Sequence, residues 1–424
     1  MIQALILFAI ILLLSGTSIY VSLGLASFGA LIFFSDIQPM IMIQRFFGGI
    51  DKFALMALPF FILAANLMDT GGLSRRILIC AKALVGHISG GLAMTTQVSS
   101  MFFGALSGSS PSTVIAIGKA MYPELVKAKY PPSFAAGLLA SSGSVALIIP
   151  PSITLIVYAS VTGVSVGALF MAGIGAGIVY GCASLIYIYY YSEKLGVPKD
   201  KKASYTVLMR SIKDAWWALL VPVIILGGIY SGIFTPTEAA GVSVIYAVFI
   251  GKFVYKELTF KGIFEACKTS AVTCAQVLVL VAAAQALGWM LTVGQVPQTI
   301  TTSVLGSITS KVLFLLLLNI VLLVLGMFME GIAAIIIITP LIFPIIGTLG
   351  IDPVHLGAIM ISNLAIGMFT PPFGMNIFVT SSITKLDLVE MLPGIARFFV
   401  VDVIALALIT YIPQISLFIP NLLK

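Results

Sequence analysis

Two stretches of twenty residues constrain this chain more than anything else in it: SSGSVALIIPPSITLIVYAS (Ser141–Ser160) and SNLAIGMFTPPFGMNIFVTS (Ser362–Ser381). Each is apolar enough to lie in a bilayer, and each carries a Pro-Pro pair at its middle. Proline has no N–H to donate and its ring clashes with the preceding turn, so two in succession open a helix. In hydrocarbon an opened backbone persists only where protein or a polar cavity satisfies the freed groups. The breaks are also related by position, since 371 − 150 = 221 and 372 − 151 = 221. The same offset links Pro123 with Pro344, Pro132 with Pro353 and Gly173 with Gly394. Two related halves, each with a broken helix in the same place, point to a transporter whose site lies between the repeats.

Composition agrees. Of 424 residues, 60% are hydrophobic and 9% charged, with mean hydropathy +1.16, against roughly 25% charged in soluble domains. The expected class is an all-α integral membrane protein in a lipid bilayer, with no separate soluble domain. The net charge of +7 reads as topology: the polar segment Glu193–Asp214 holds Lys194, Lys199, Lys201, Lys202, Arg210 and Lys213 and is expected to be a cytoplasmic linker. A nucleic-acid surface would need basic residues interleaved with aromatics on a soluble face, and none exists. Cys80, Cys182, Cys267 and Cys274 form no C-x-x-C pair, so neither a disulfide nor a metal site is expected. The N-terminal MIQALILFAIILLLSGTSIY lacks a basic leader region and reads as a retained first membrane helix.

The first repeat spans 1–192 and the second 215–424. In the first, an apolar run Met1–Phe34 is interrupted at Gly16-Thr17, and Gln44–Lys52 suits an interfacial helix. Helices are expected at 53–68 and 77–97, a re-entrant hairpin at 98–120, a broken helix at 133–160 and a helix at 166–192. The second opens at Trp216-Trp217 with a run to Ile250, interrupted by GIFTPTEAAG (Gly232–Gly241). A Lys-bearing stretch, 252–268, mirrors the interfacial segment. Helices at 269–291 and 298–322, a hairpin at 323–345, a broken helix at 354–381 and a final span follow. Ten to twelve crossings fit. An odd number per repeat inverts the second half, the commoner arrangement where helices break at mid-membrane.

The chemistry concentrates at the breaks. GALSGSSPST (Gly104–Thr113) places Ser107, Ser109, Ser110, Ser112 and Thr113 in an apolar setting, with Gly104, Gly108 and Pro111 interrupting the helix. Small residues also serve helix packing, but five hydroxyls and a proline exceed that need. At the repeat offset Ser110 corresponds to Gly331, inside GMFMEGIAA, which carries Glu330. An intramembrane carboxylate is costly and a functional suspect by default. Oxygen-rich cages without a His/Cys cluster suit a hard cation, sodium before zinc. The candidate sodium ligands are Ser107, Gly108, Ser109, Gly143, Ser144 and Ala146 in the first half, and Gly326, Met329, Gly367 and Thr370 in the second. The candidate substrate residues are Ser110, Ser112, Thr113, Glu330, Gly331, Gly374 and Asn376. Helix N-termini following each Pro-Pro pair are positive ends that favour a carboxylate.

Other polar residues read as structural. Thr235, Pro236 and Glu238 form a capping box, and His87 and His355 are expected to make isolated polar contacts. Asp402 lies near Arg397 and is expected to pair with it, with a structural and a functional role equally open. There is no G-x-x-x-x-G-K-[ST] loop, no H-E-x-x-H and no nucleophile–base pair, so an enzyme is not expected. No cofactor is expected beyond sodium as coupling ion.

GALSGSSPST, SGSVALIIPPS, SGIFTPTEAAG and MFTPPFGMN together resemble the large membrane subunit of TRAP transporters (tripartite ATP-independent periplasmic, the DctM family), along essentially the whole chain. The resemblance implies an elevator-type fold of inverted repeats, each with a re-entrant hairpin and an unwound helix, in the bacterial inner membrane. It implies two partners, a small four-helix membrane subunit and a periplasmic substrate-binding protein, and an organic-acid substrate such as a C4-dicarboxylate or a sialic acid. The expected activity is sodium-coupled import of such an acid. The alternatives are a stand-alone sodium/anion symporter and a channel or ATP-driven permease domain.

Overall fold

The computed structural model describes residues 1–197, 202–307 and 310–422, so Lys199 and Lys201 of the basic linker lie outside the described residues. Among the described residues the chain is helical with no strand. The first half runs α1 (Ile2–Leu14), α2 (Ile19–Phe34), α3 (Pro39–Ile50), α4 (Ala57–Thr70), α5 (Leu73–Val85), α6 (Gly91–Ser107), α7 (Ser110–Lys127), α8 (Pro132–Ser144), α9 (Ile153–Thr162) and α10 (Val166–Leu195). The second runs α11 (Tyr205–Tyr230), α12 (Pro236–Phe249), α13 (Phe260–Val293), α14 (Val296–Ser307), α15 (Lys311–Phe328), α16 (Gly331–Thr348), α17 (Pro353–Gly367), α18 (Met375–Thr384) and α19 (Leu388–Tyr411); α20 (Gln414–Leu422) follows.

The offset of 221 holds element by element. Adding it to α7 gives 331–348, the bounds of α16, and adding it to α8 and α9 gives 353–365 and 374–383, within a residue or two of α17 and α18. The α3 segment maps onto the first third of α13, where the second half runs on as one helix. The counterpart of α3 thus overlaps the Lys252–Lys268 stretch over 260–268, but it is helical and continuous with α13 instead of a separate short helix. The Lys252–Lys268 stretch itself runs through a π-helical turn (Ile250–Val254), a short connection and the start of α13.

Two helices expected to be single are divided. The 77–97 stretch splits into α5 and α6 around Gly86–Gly90, because Gly90 takes a left-handed φ of 80° and a Cβ on Gly91 would lie 1.8 Å from the Gly86 carbonyl oxygen. The 298–322 stretch splits into α14 and α15. Both hairpins consequently have longer limbs than expected, Gly91–Lys127 and Lys311–Thr348. The TPTE capping box forms as expected, with reciprocal Thr235 and Glu238 bonds at the start of α12.

Helices α6–α10 and α15–α19 pack into one body, with α8 against α19 and α15 against α17; α2, α3, α4, α11, α12 and α13 pack into another. Eight of the described helices are long and apolar enough to cross a membrane. If each broken helix is one crossing and each hairpin re-entrant, each half crosses five times: α1, α2, α4, α8–α9 and α10, then α11, α12, α13, α17–α18 and α19. Five is odd, so on that count the halves would be inverted, with the α6–α7 hairpin opening to the face that carries the linker and the α15–α16 hairpin to the opposite face.

Candidate functional site

Each hairpin tip is built by a short run that cannot remain helical. Gly108 ends α6 with φ 57°, Ser109 is extended, and Pro111 sits in the first turn of α7, where a missing N–H costs nothing. At the second tip Met329 and Glu330 are extended and α16 begins at Gly331. Ser109 and Glu330 are both helix N-caps and are repeat counterparts, since 109 + 221 = 330. Neither side chain caps its own helix.

The breaks are the other wall. Both Pro-Pro bonds, Pro150–Pro151 and Pro371–Pro372, are cis. The chain opens after Leu147 in one half and after Met368 in the other, again 221 apart. The freed Leu147 carbonyl accepts from Ser152 Oγ and from Thr154 Oγ1 (3.1 Å), while the Met368 carbonyl accepts from the Asn376 N–H (2.8 Å). Hairpin and break meet backbone to backbone. A Cβ on Gly104 would lie 2.8 Å from Ala146 Cα, and one on Gly367 would lie 2.5 Å from Gly326 Cα. Only glycine on one side of each contact lets the main chains of hairpin and broken helix approach so closely.

The tips and breaks enclose a cleft of about 80 Å³, room for a few waters. Its walls are Gly108–Pro111 from the first tip, Glu330–Ile332 from the second, Leu147, Ile153 and Thr154 at the first break, Met368 at the second, and Thr273 and Val277 from α13. The N-termini of α7, α9 and α16 reach it, and no Lys, Arg or His lines it. The Glu330 carboxylate makes no side-chain hydrogen bond to its own helix and no ion pair among the described residues.

The family model for the tripartite ATP-independent periplasmic transporter, DctM component, matches residues 5–415. The chain belongs to the DctM family. This DctM-family chain is 40% identical over 407 residues to the isethionate TRAP transporter permease protein DctMQ of Oleidesulfovibrio alaskensis, covering 96% of the chain and 64% of that longer relative. It is 40% identical over 400 residues to the C4-dicarboxylate TRAP transporter large permease protein DctM of Pseudomonas aeruginosa, with 94% of each covered. Its fold matches the Alcanivorax borkumensis YdaH transporter with a TM-score of 0.60 at 16% identity, over 90% of this chain and 87% of that one. DctM proteins are permease subunits of the bacterial inner membrane, not enzymes, and the family works with a small membrane subunit and a periplasmic binding protein.

Of the residues singled out in sequence, the DctM-family structure brings Gly108, Ser109, Ser110, Glu330 and Gly331 to the cleft. Ser107 and Thr113 lie just behind it, their hydroxyls 2.9 Å apart, with Thr113 also donating to the Ser109 carbonyl (2.9 Å). Ser112 is exposed and donates to Ser109 Oγ (3.1 Å). Gly143, Ser144 and Ala146 line the first break, and Gly326, Met329, Gly367 and Thr370 surround the second. The hydroxyls of Ser144 and Thr370 are engaged by Ser141 O (2.7 Å) and Ile366 O (2.6 Å). Gly374 caps α18. Asn376 is fully buried and turned to the first hairpin: its Nδ2 donates to the Ala140 carbonyl (2.7 Å) and lies 2.7 Å from Ser110 Oγ.

Thr154 and Thr273 are cleft residues that sequence reasoning missed. Thr154 was signalled by its place in the first turn after the break. Thr273 had no local signal, because only the packing of α13 against the hairpins brings it there. The expected pairing of Asp402 with Arg397 is corrected: Arg397 Nη1 donates to Tyr191 OH (2.9 Å), and Asp402 accepts from Ser141 and Ser184. His355 makes the isolated contacts expected of it, to Ser416 Oγ (2.7 Å) and the Thr410 carbonyl (3.1 Å).

Proposed function

We propose that this permease imports a small organic acid across the inner membrane, driven by a sodium gradient, as the large subunit of a tripartite transporter. Residues 1–192 and 215–424 act as inverted repeats joined by a cytoplasmic linker. The observation that carries the reading is the meeting of repeat-related N-caps, Ser109 and Glu330, in one cleft between the two breaks. Such a pair belongs to a site that both halves share and that each hairpin guards in turn.

Sodium ions are held where tip and break carbonyls approach: by Ser107, Gly108, Ser109, Gly143, Ser144 and Ala146 on one side, and by Gly326, Met329, Gly367 and Thr370 on the other. Main-chain and hydroxyl oxygens with no soft ligand fit a hard monovalent ion. No group of three or more His, Cys, Asp and Glu side chains competes for a transition metal among the described residues. The acid binds between the tips, its negative charge opposite the N-termini of α7, α9 and α16. Ser110, Ser112, Thr113, Glu330, Gly331, Gly374 and Asn376 supply the surrounding polar groups as the hairpins part. The names of the relatives, isethionate for one and C4-dicarboxylate for another, share an acidic group and support that class. The partners are a four-helix small subunit and a periplasmic binding protein that delivers the acid.

Reconstitution tests this. The permease, with the small subunit and binding protein encoded beside it, is placed in liposomes and uptake of the acid retained by the binding protein is followed. Uptake should require an inward sodium gradient and stop when it is collapsed. Uptake with sodium absent on both sides, or uptake that needs ATP, contradicts the proposal.

A further inference from the structure

Asp402 lies in the middle of α19 and is completely buried. Among the described residues no lysine, arginine or histidine pairs with it. Its carboxylate is held by hydroxyls instead: Ser141 Oγ donates to one oxygen (2.8 Å) and Ser184 Oγ to the other (3.0 Å). Tyr180 interacts with the same carboxylate and lies 2.8 Å from Ser144 Oγ, which donates to the Ser141 carbonyl (2.7 Å). A side chain of the second half thus reaches across to the last turn of α8 in the first. It grips Ser141 directly and Ser144 through Tyr180, on either side of Gly143.

The second break has no such grip. The counterpart of Asp402 is Gly181 (402 − 221), a position filled from the side by Met101. The counterpart of Ser141 is Ser362, whose hydroxyl has no hydrogen-bond partner. A carboxylate in a membrane interior is expensive, and hydroxyl donors offset only part of that cost. A cation a short distance away offsets much of the rest, and the carbonyls of Gly143, Ser144 and Ala146 lie on the same strip of chain. We propose that Asp402 is a positioning residue for the first cation site. It fixes the shape of the α8 break and supplies the charge that makes this site bind sodium more tightly than the one at Gly326 and Gly367. This rests on the sodium reading above.

The test is thermal unfolding of the purified full-length protein titrated with NaCl against choline chloride at constant ionic strength. Ligand binding to the folded state raises the unfolding temperature with a midpoint set by affinity. Asp402→Asn keeps the shape and removes the charge, and should move the sodium midpoint upward by about tenfold. Ser141→Ala and Tyr180→Phe should each move it by about threefold, which keeps the test open if the Asp402 variant folds poorly. Ser362→Ala, at the ungripped counterpart, should stay within about twofold of the parent. If the variants lower the unfolding temperature equally at every sodium concentration and leave the midpoint in place, Asp402 is purely structural and the inference is overturned. If the parent protein itself does not respond to sodium, it is the sodium reading of the permease that fails, and the inference fails with it.

Discussion

The two breaks share one backbone plan and differ in what supports it. The first, in α8–α9, is held by hydroxyls and a carboxylate: Ser100 on Ser142, Ser141 and Ser184 on Asp402, Tyr180 on Ser144. The second, in α17–α18, is held by amides. Asn363 donates to Asn319 (2.8 Å), Asn319 to Thr410 Oγ1 (3.0 Å), and the Thr410 carbonyl contacts His355. Ser142 and Asn363 are repeat counterparts, since 142 + 221 = 363, and each ties its broken helix to the first limb of the hairpin beside it. Around Asn363, two buried acceptors, its own Oδ1 and Ser362 Oγ, have no partner. Pseudo-symmetry therefore places the breaks, and side chains make them unequal. Under the proposed mechanism, that inequality would let one break release its ion before the other.

The sharpest way to break the comparison is at the glycine contacts. Gly367→Leu and Gly104→Leu both push hairpin from break, and each should cut uptake by on the order of a hundredfold, as a displacement of about 1 Å at a reacting or binding centre does. If one variant transports normally, the backbone approach in that half does not serve the site. The caps sharpen it next. Glu330→Gln should lower uptake by about tenfold, about 1.4 kcal/mol, while Ser109→Ala, which loses one hydroxyl, should lower it by about threefold. Equal effects would mean that the cleft treats the two tips alike. The smallest effect is on stability. Asn363→Ala leaves Asn319 Oδ1 without its donor and should cost about 1–3 kcal/mol. Ser142→Ala should cost about 1 kcal/mol or less, because Ser142 and Ser100 are a long pair at 3.2 Å. Chemical unfolding of the two variants measures the difference.

The breaks, the tips and the pairing of the halves were legible because proline, glycine and a fixed offset are written in the chain itself. Gly108, Ser109 and Pro111 announce a helix end and a helix start with no help from the rest of the fold. The turn at Gly86–Gly90 was less legible, since HISGG sits within a pattern that a single helix also satisfies. Asp402 was misread because Arg397 is close in sequence. Residues five apart on a helix point about 140° away from one another, so the carboxylate turns to Ser141 of α8 and Ser184 of α10 while the guanidinium reaches Tyr191, farther along α10. Thr273 and Ser184 joined their networks only through the packing of distant helices, which no local pattern encodes.

If the halves are inverted, two equivalent tips guard one cleft from opposite faces. Lys127 and Thr348 are repeat counterparts, both exposed, at the outer ends of α7 and α16. In a protein lacking Cys80, Cys182, Cys267 and Cys274, Lys127→Cys and Thr348→Cys can be labelled one at a time with a membrane-impermeant maleimide, in right-side-out and inside-out vesicles. With inverted halves, Lys127→Cys should react only from the face carrying the 193–214 linker and Thr348→Cys only from the other. Labelling of both from the same face would contradict inversion.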